Sequence, residues 1–208
     1  PRAISITQST ELGTLYTLDE VRAIADLAHS YNMYLHMDGA RLANAAVSLS
    51  KTLGREVSFK EMTTDLGVDC LSFGGTKNGM MMGESVVVLN PALDVDMKYR
   101  RKQMTQLCSK MRFVAAQYEA YLETGLWRRN AEHSNLMAQL LYRGVSDIEG
   151  VKVMYEVQAN SVFVQMPTQC WHRLLDYYFF YDWDEANDVV RFMCSFDTAE
   201  QDIHDFVA

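Results

Sequence analysis

Lys77 stands in the stretch LSFGGTKNGMMMG, with Gly74 and Gly75 before it and Gly79 after it. A lysine ordinarily rides on a solvated face, so its enclosure by glycines admits two readings. One is a surface lysine in a glycine turn. The other is an amine whose pKa is lowered so that it attacks a carbonyl and forms a Schiff base. The paired glycines would let the backbone approach a ligand closely, and Gly79 would turn the chain away again. A phosphate-binding loop is excluded because the Gly-Lys-Ser/Thr order is absent: Lys77 follows Thr76 and precedes Asn78.

Three more residues have matching chemistry. Asp38, in YLHMDGARL, reads either as a turn or N-cap aspartate or as a carboxylate that holds a proton on the ring nitrogen of pyridoxal phosphate. Arg41 follows one turn later, solvated or forked onto a carboxylate near such a cofactor. Arg191 interrupts the apolar run VVRFMCSF. An unpaired buried charge is costly, so Arg191 either snorkels from an edge strand or grips the α-carboxylate of an amino acid bidentately. His36 shares a face with Asp38 if that strand is regular and reads better as a hydrogen-bonded core histidine than as a catalytic one. The other histidines lack metal-ligand spacing, and no metal site is expected. The aromatic stretch DYYFFYDW reads as packing or an interface.

These side chains need elements to hold them. Thr17 and Glu20 have capping-box spacing ahead of Leu18, Val21, Ile24, Ala25 and Ala28, so a helix is expected over 18–31. Ser58 and Glu61 repeat that spacing and start a helix ending near Gly67. Strands are expected at 3–7, 34–37, 70–73 and 84–89. Alternating strands and helices imply an α/β fold with a mainly parallel sheet covered on both faces. Ligands bind beyond the carboxyl ends of such strands, where Asp38 and Lys77 both fall. From Met97 to Tyr142 the pattern is helical, with Gly125 as the break. After Gly150, strands are expected at 151–157, 161–166 and 189–196, with helices in TQCWHRLLDYY and in TAEQDIHDFV, the latter capped through Thr198 and Gln201. The division is 1–125 as part of a large α/β domain and 126–208 as a small C-terminal α+β domain.

Composition narrows the class of function. A net charge of −8 argues against nucleic acid as a general partner. No apolar run approaches the roughly 18 residues of a membrane span. Cys70, Cys108, Cys170 and Cys194 are scattered with no C-x-x-C pair, which suits free thiols in a reducing compartment and a cytoplasmic location. The chain opens at Pro1 without an initiator methionine or a hydrophobic signal, and it is expected to be the later part of a longer protein.

With DGAR followed by GGTKNG, and with ISITQSTELGTLYTLDEV and VRFMCSFDT on either side, nearly the whole chain resembles the threonine aldolases of the β-eliminating lyase superfamily. That resemblance implies a fold-type-I pyridoxal phosphate enzyme of the aspartate aminotransferase type. Lys77 would form the Schiff base, Asp38 would pair with the pyridinium, and Thr76 would border the cofactor. Arg41 and Arg191 would hold the substrate carboxylate. In RRKQMTQLCSKMRF, Lys102 and Arg112 would reach a neighbouring subunit's cofactor phosphate. The implied reaction is retro-aldol cleavage of L-threonine or L-allo-threonine to glycine and an aldehyde, in a homo-oligomer built as a dimer of dimers. The insertion KTLGREVSFKE suggests a subgroup rather than a new reaction. The same scaffold would also serve β-elimination or transamination, or persist as a non-catalytic, truncated or oligomerisation form. The phosphate-binding turn and the histidine stacked on the cofactor ring are expected upstream of Pro1.

Overall fold

The structure is a computed structural model describing residues 1–208. Strands β1 (Ala3–Thr7), β2 (Tyr34–Gly39) and β3 (Cys70–Gly74) lie side by side in parallel, and β4 (Glu84–Val88) closes the edge antiparallel to β3. The register pairs Thr7 with Asp38 and Asp38 with Ser72, so the ends of β1, β2 and β3 are level.

Helix α1 (Leu18–Ser30) begins with the expected capping box: Thr17 Oγ1 accepts from the Glu20 N–H (3.2 Å) and Glu20 Oε2 from the Thr17 N–H (2.8 Å). Its buried Val21, Ala25 and Ala28 join Ile6, Leu35 and Met37 in the core. Each fully buried large aliphatic side chain contributes roughly 1.5–3 kcal/mol. Helix α2 (Leu42–Leu53) went unpredicted. Its sequence LANAAVSLSKTL buries Leu42, Ala43, Asn44, Ala45, Ala46 and Leu49, a nearly continuous run that lacks a clear apolar stripe. Helix α3 (Phe59–Met62) is one turn, followed by a 3-10 turn over Thr64–Leu66. Its capping box is half formed: Ser58 Oγ accepts from the Glu61 N–H, but the Glu61 carboxylate turns to Arg55.

The core residues Ile6, Leu35, Met37, Leu71 and Phe73 all lie on one face of the first sheet. Ser5, His36, Asp38, Cys70, Ser72 and Val86 occupy the other, which stays partly open, with Val86 at 62% exposure.

The helical stretch is also more broken than its pattern. It comprises α4 (Met97–Gln103), α5 (Met111–Glu123) and α6 (Leu126–Ser146), with an irregular segment over 104–110 and Gly125 between α5 and α6. Beyond α6, strands β5 (Lys152–Val153), β6 (Ser161–Gln165), β7 (Tyr181–Asp184) and β8 (Val189–Met193) form a second, antiparallel sheet in the order β5-β6-β8-β7. Strand β5 is shorter than expected, and β8 stops before Cys194. Strand β7 begins within the aromatic stretch read as packing, and its aromatic and acidic residues alternate over only four positions, YDWD. Helices α7 (Thr168–Leu175) and α8 (Glu200–Val207) match expectation, but α8 is capped by Asp202 Oδ2 accepting from the Ala199 N–H (2.8 Å). Thr198 Oγ1 instead accepts from the Ser195 N–H, and Gln201 donates to Asp205.

The second sheet has its own apolar cluster, in which Val162, Val164, Val190 and Phe192 pack with Met137, Leu141, Val145, Trp171 and Ile203. Polar ties join the two sheets and their helices. Asn44 of α2 donates to Ser134 Oγ (2.8 Å) and Asn135 Oδ1 (2.9 Å) of α6. The loop after β1 reaches across, its Leu15 N–H donating to Gln158 Oε1 (2.7 Å).

Candidate active site

Asp38 and Lys77 leave the carboxyl ends of adjacent parallel strands. Asp38 is the penultimate residue of β2, and Lys77 lies in a 3-10 turn (Thr76–Asn78) just after β3. The two loops press together: a Cβ on Gly74 would lie 2.9 Å from Ala40 Cα, closer than real side chains approach. Asp38 Oδ1 accepts from the Ala40 N–H (2.9 Å), while Oδ2 makes no hydrogen bond within the chain. The Lys77 side chain is exposed and makes no ion pair or hydrogen bond. Thr76 Oγ1 accepts from the Gly83 N–H (3.0 Å), closing the turn around Lys77.

The turn is anchored by a residue whose role the sequence did not reveal. Asn78 is 3% exposed, and its amide donates to Tyr121 Oη of α5 (2.6 Å) and to the Trp127 carbonyl of α6 (2.8 Å). Its own carbonyl accepts from Asn130 Nδ2 (2.8 Å). Burial pushes the Tyr121 phenol up to about 12, so it stays protonated at neutral pH. Gly79 follows at φ +102°, a left-handed conformation that favours glycine, and a Cβ there would lie 2.4 Å from Asn130 Nδ2. Tyr118 braces the strand end by donating to the Phe73 carbonyl (2.9 Å).

Arg41 caps the start of α2 just after β2, and Arg191 lies on β8 of the second sheet, yet each bears on the other through charge. Burial, and next the charge of Arg191, hold the Arg41 guanidinium below its ordinary pKa, while Glu11 and Asp38 act in the opposite direction. Neither arginine forms an ion pair within the chain. Arg191 lies over the rings of Tyr181 (5.1 Å) and Trp183 (5.0 Å), and its Nε is buried without a hydrogen-bond partner. Two half-buried guanidiniums, neither in an ion pair within the chain, are suited to an external carboxylate. Glu11 is a site neighbour the sequence did not single out.

The remaining candidates fall elsewhere. Lys102 on α4 and Arg112 at the start of α5 are exposed, and neither side chain makes an ion pair or hydrogen bond. Arg112 lies over the ring of Phe113. His36 is hydrogen-bonded as expected, but on the open face rather than in the core: Nδ1 meets Ser5 Oγ (2.8 Å) and Nε2 meets Ser72 Oγ (3.0 Å). No three His, Cys, Asp or Glu side chains are grouped to hold a metal ion.

Residues 1–169 match the family model described as beta-eliminating lyase. A low specificity L-threonine aldolase of a Pseudomonas species (strain NCIMB 10558) is 43% identical over 208 residues, all of this chain and 58% of that protein. The enzyme of the same description from Pseudomonas aeruginosa is 42% identical over 95% of this chain and 56% of its own. Among solved structures, a threonine aldolase of Leishmania major superposes with a TM-score of 0.88 at 28% identity, covering 100% of this chain and 59% of that one. The chain thus spans less than two thirds of the length of each of these relatives.

Proposed function

The chain belongs to the beta-eliminating lyase family, and on that footing we propose that it carries the lysine and carboxylate-gripping parts of a pyridoxal phosphate-dependent aldolase of fold type I. Its substrate is L-threonine or L-allo-threonine, and its products are glycine and an aldehyde. Relatives described as low specificity L-threonine aldolases support that choice over other lyases.

The residues present fit the cofactor. A free lysine amine, a carboxylate with one uncommitted oxygen and a glycine turn too close-packed for a Cβ meet at the strand ends. Lys77 and Asp38 would hold the group, with Thr76 bordering it, and Lys102 and Arg112 would reach the phosphate bound by a neighbouring copy. When bound, pyridoxal phosphate supplies an electron sink for the carbanion left at the substrate's α-carbon.

The chain's own residues do the rest. With the cofactor bound, Asp38 Oδ2 would hold a proton on its ring nitrogen, and Lys77 would supply the amine for its carbonyl. Arg41 and Arg191 fork onto the substrate carboxylate and fix the α-carbon, so that the Cα–Cβ bond is the one broken when the β-hydroxyl gives up its proton. The Arg191 guanidinium, outside any ion pair and with its Nε buried and unpartnered, carries this reading, because such a group calls for a carboxylate ligand.

Residues 1–125 form part of the large domain and 126–208 the small C-terminal one, consistent with two sheets and two apolar clusters. The protein is a cytoplasmic homo-oligomer, a dimer of dimers. Val95, Tyr99, Met104, Leu107 and Phe113 are exposed at 44–68% around α4 and α5, an apolar surface suited to a second copy.

Product analysis tests the reaction. Incubation of the full-length, cofactor-loaded protein with L-threonine should release acetaldehyde and glycine in equal amounts. A 2-oxo acid with ammonia would show elimination instead, and a 2-oxo acid with an aminated cofactor would show transamination.

A further inference from the structure

The grip on the carboxylate has a supporting device in β7. Arg191 on β8 lies opposite Tyr181 of β7 and Phe163 of β6, so these three side chains share one face of the second sheet. The ladder between β7 and β8 then slips. Asp182 pairs with Val190 and Asp184 with Val189, leaving Trp183 as an extra residue with no partner of its own. A bulge of this kind re-aims a side chain. Here the freed indole packs edge-on against Phe163 (5.2 Å between centroids) and against the Arg191 guanidinium (5.0 Å). Phe163 is 1% exposed and wedged in turn by Tyr155 (5.5 Å), so the surface against which Trp183 rests is firm. Gly13 seals the other side, where a Cβ would lie 2.3 Å from Ser161 Oγ and 3.5 Å from Phe163.

We propose that Trp183, delivered by the β7 bulge, is a positioning residue: with Tyr181 it holds the Arg191 guanidinium poised to fork onto the substrate carboxylate. The inference rests on the carboxylate-gripping role assigned to Arg191 above. Two observations specify it. The Arg191 Nε–H is buried and unpartnered, so its orientation is not fixed by hydrogen bonding within the protein. The rings of Tyr181 and Trp183 flank that guanidinium at 5.1 and 5.0 Å. Aromatic faces attract the cation without occupying its N–H groups, leaving the fork free for a ligand.

The test compares glycine with methylamine, which has the same amine and lacks the carboxylate. Calorimetric affinities for both are measured on the full-length, cofactor-loaded protein and on its Trp183→Leu, Trp183→Phe and Arg191→Gln variants. Trp183→Leu should weaken glycine binding about 3- to 30-fold and leave methylamine binding and the melting temperature unchanged. Trp183→Phe should restore most of the loss, and in steady state Trp183→Leu should raise the KM for L-threonine with kcat nearly unchanged. Equal losses for glycine and methylamine would overturn the proposal, because a structural defect does not single out the carboxylate. Unaltered glycine affinity in Trp183→Leu, with a large selective loss in Arg191→Gln, would overturn the role of Trp183 alone. No selective loss in Arg191→Gln would overturn the carboxylate grip itself, and with it this inference.

Discussion

Asp38 divides its two oxygens between structure and chemistry: Oδ1 fixes its own loop through the Ala40 N–H, and Oδ2 is left for a partner. Asp38→Asn keeps the shape but replaces the carboxylate with an amide that cannot hold a proton on a ring nitrogen. Cleavage of L-threonine should fall roughly 100-fold or more, in line with about 3–5 kcal/mol for breaking a buried pair, with an unchanged circular dichroism spectrum as the control. Arg41→Lys retains the charge and loses the fork. Since a hydrogen bond to a charged group contributes about 1.5–3 kcal/mol, the KM for L-threonine should rise roughly 10- to 100-fold in steady-state assays. Both candidates were singled out in the sequence by their types and their place at the end of a strand. Asn78 was not, because its partners Tyr121, Trp127 and Asn130 are 43 to 52 residues away and nothing local in GGTKNG points to them.

The elements are held by polar pins as well as by the core. Asn78→Ala would orphan Tyr121 Oη and the Trp127 carbonyl, at roughly 1–3 kcal/mol per buried group. The melting temperature should drop by several degrees and the Lys77 turn should become susceptible to proteolysis. Asp69, 3% exposed at the start of β3, does similar work across elements: it accepts from Asn90 Nδ2 (2.6 Å) and the Leu35 N–H (2.7 Å), and meets His29 Nε2 (2.9 Å). Burial alone would raise this carboxyl, but those hydrogen bonds and the adjacent His29 more than offset it, so the folded-state pKa is lowered. A lowered carboxyl pKa adds stability above the unfolded value near 4 that is lost as pH falls through the lower folded value. Urea midpoints measured between pH 6 and 3 should therefore fall toward the acid end, and less steeply in Asp69→Asn. Local patterning foretold α1, whose capping box is complete, and the four strands of the first sheet. It missed α2, whose first five residues are buried in an unbroken run, and β7, whose four-residue alternation is short and sits at the end of an aromatic stretch.

At the scale of the whole molecule, two sheets contribute one charge site. Arg41 comes from the first and Arg191 from the second, brought together by the Asn44–Asn135 tie and the loop carrying Gly13 and Leu15. In the sequence 150 positions separate the two arginines, and only the family resemblance assigned them to one carboxylate. Assembly into a homo-oligomer makes a separate prediction: Phe113→Glu, which puts a charge on the exposed apolar surface of α5, should lower the mass seen by sedimentation equilibrium. The central claim, that Lys77 is the cofactor's lysine, has a more direct test. The full-length protein is loaded with pyridoxal phosphate, reduced with borohydride, digested and mapped by mass spectrometry. The account predicts a phosphopyridoxyl group on the peptide containing Lys77 and no label there in Lys77→Ala. A label on another lysine, or none on protein that has retained the cofactor, would contradict it.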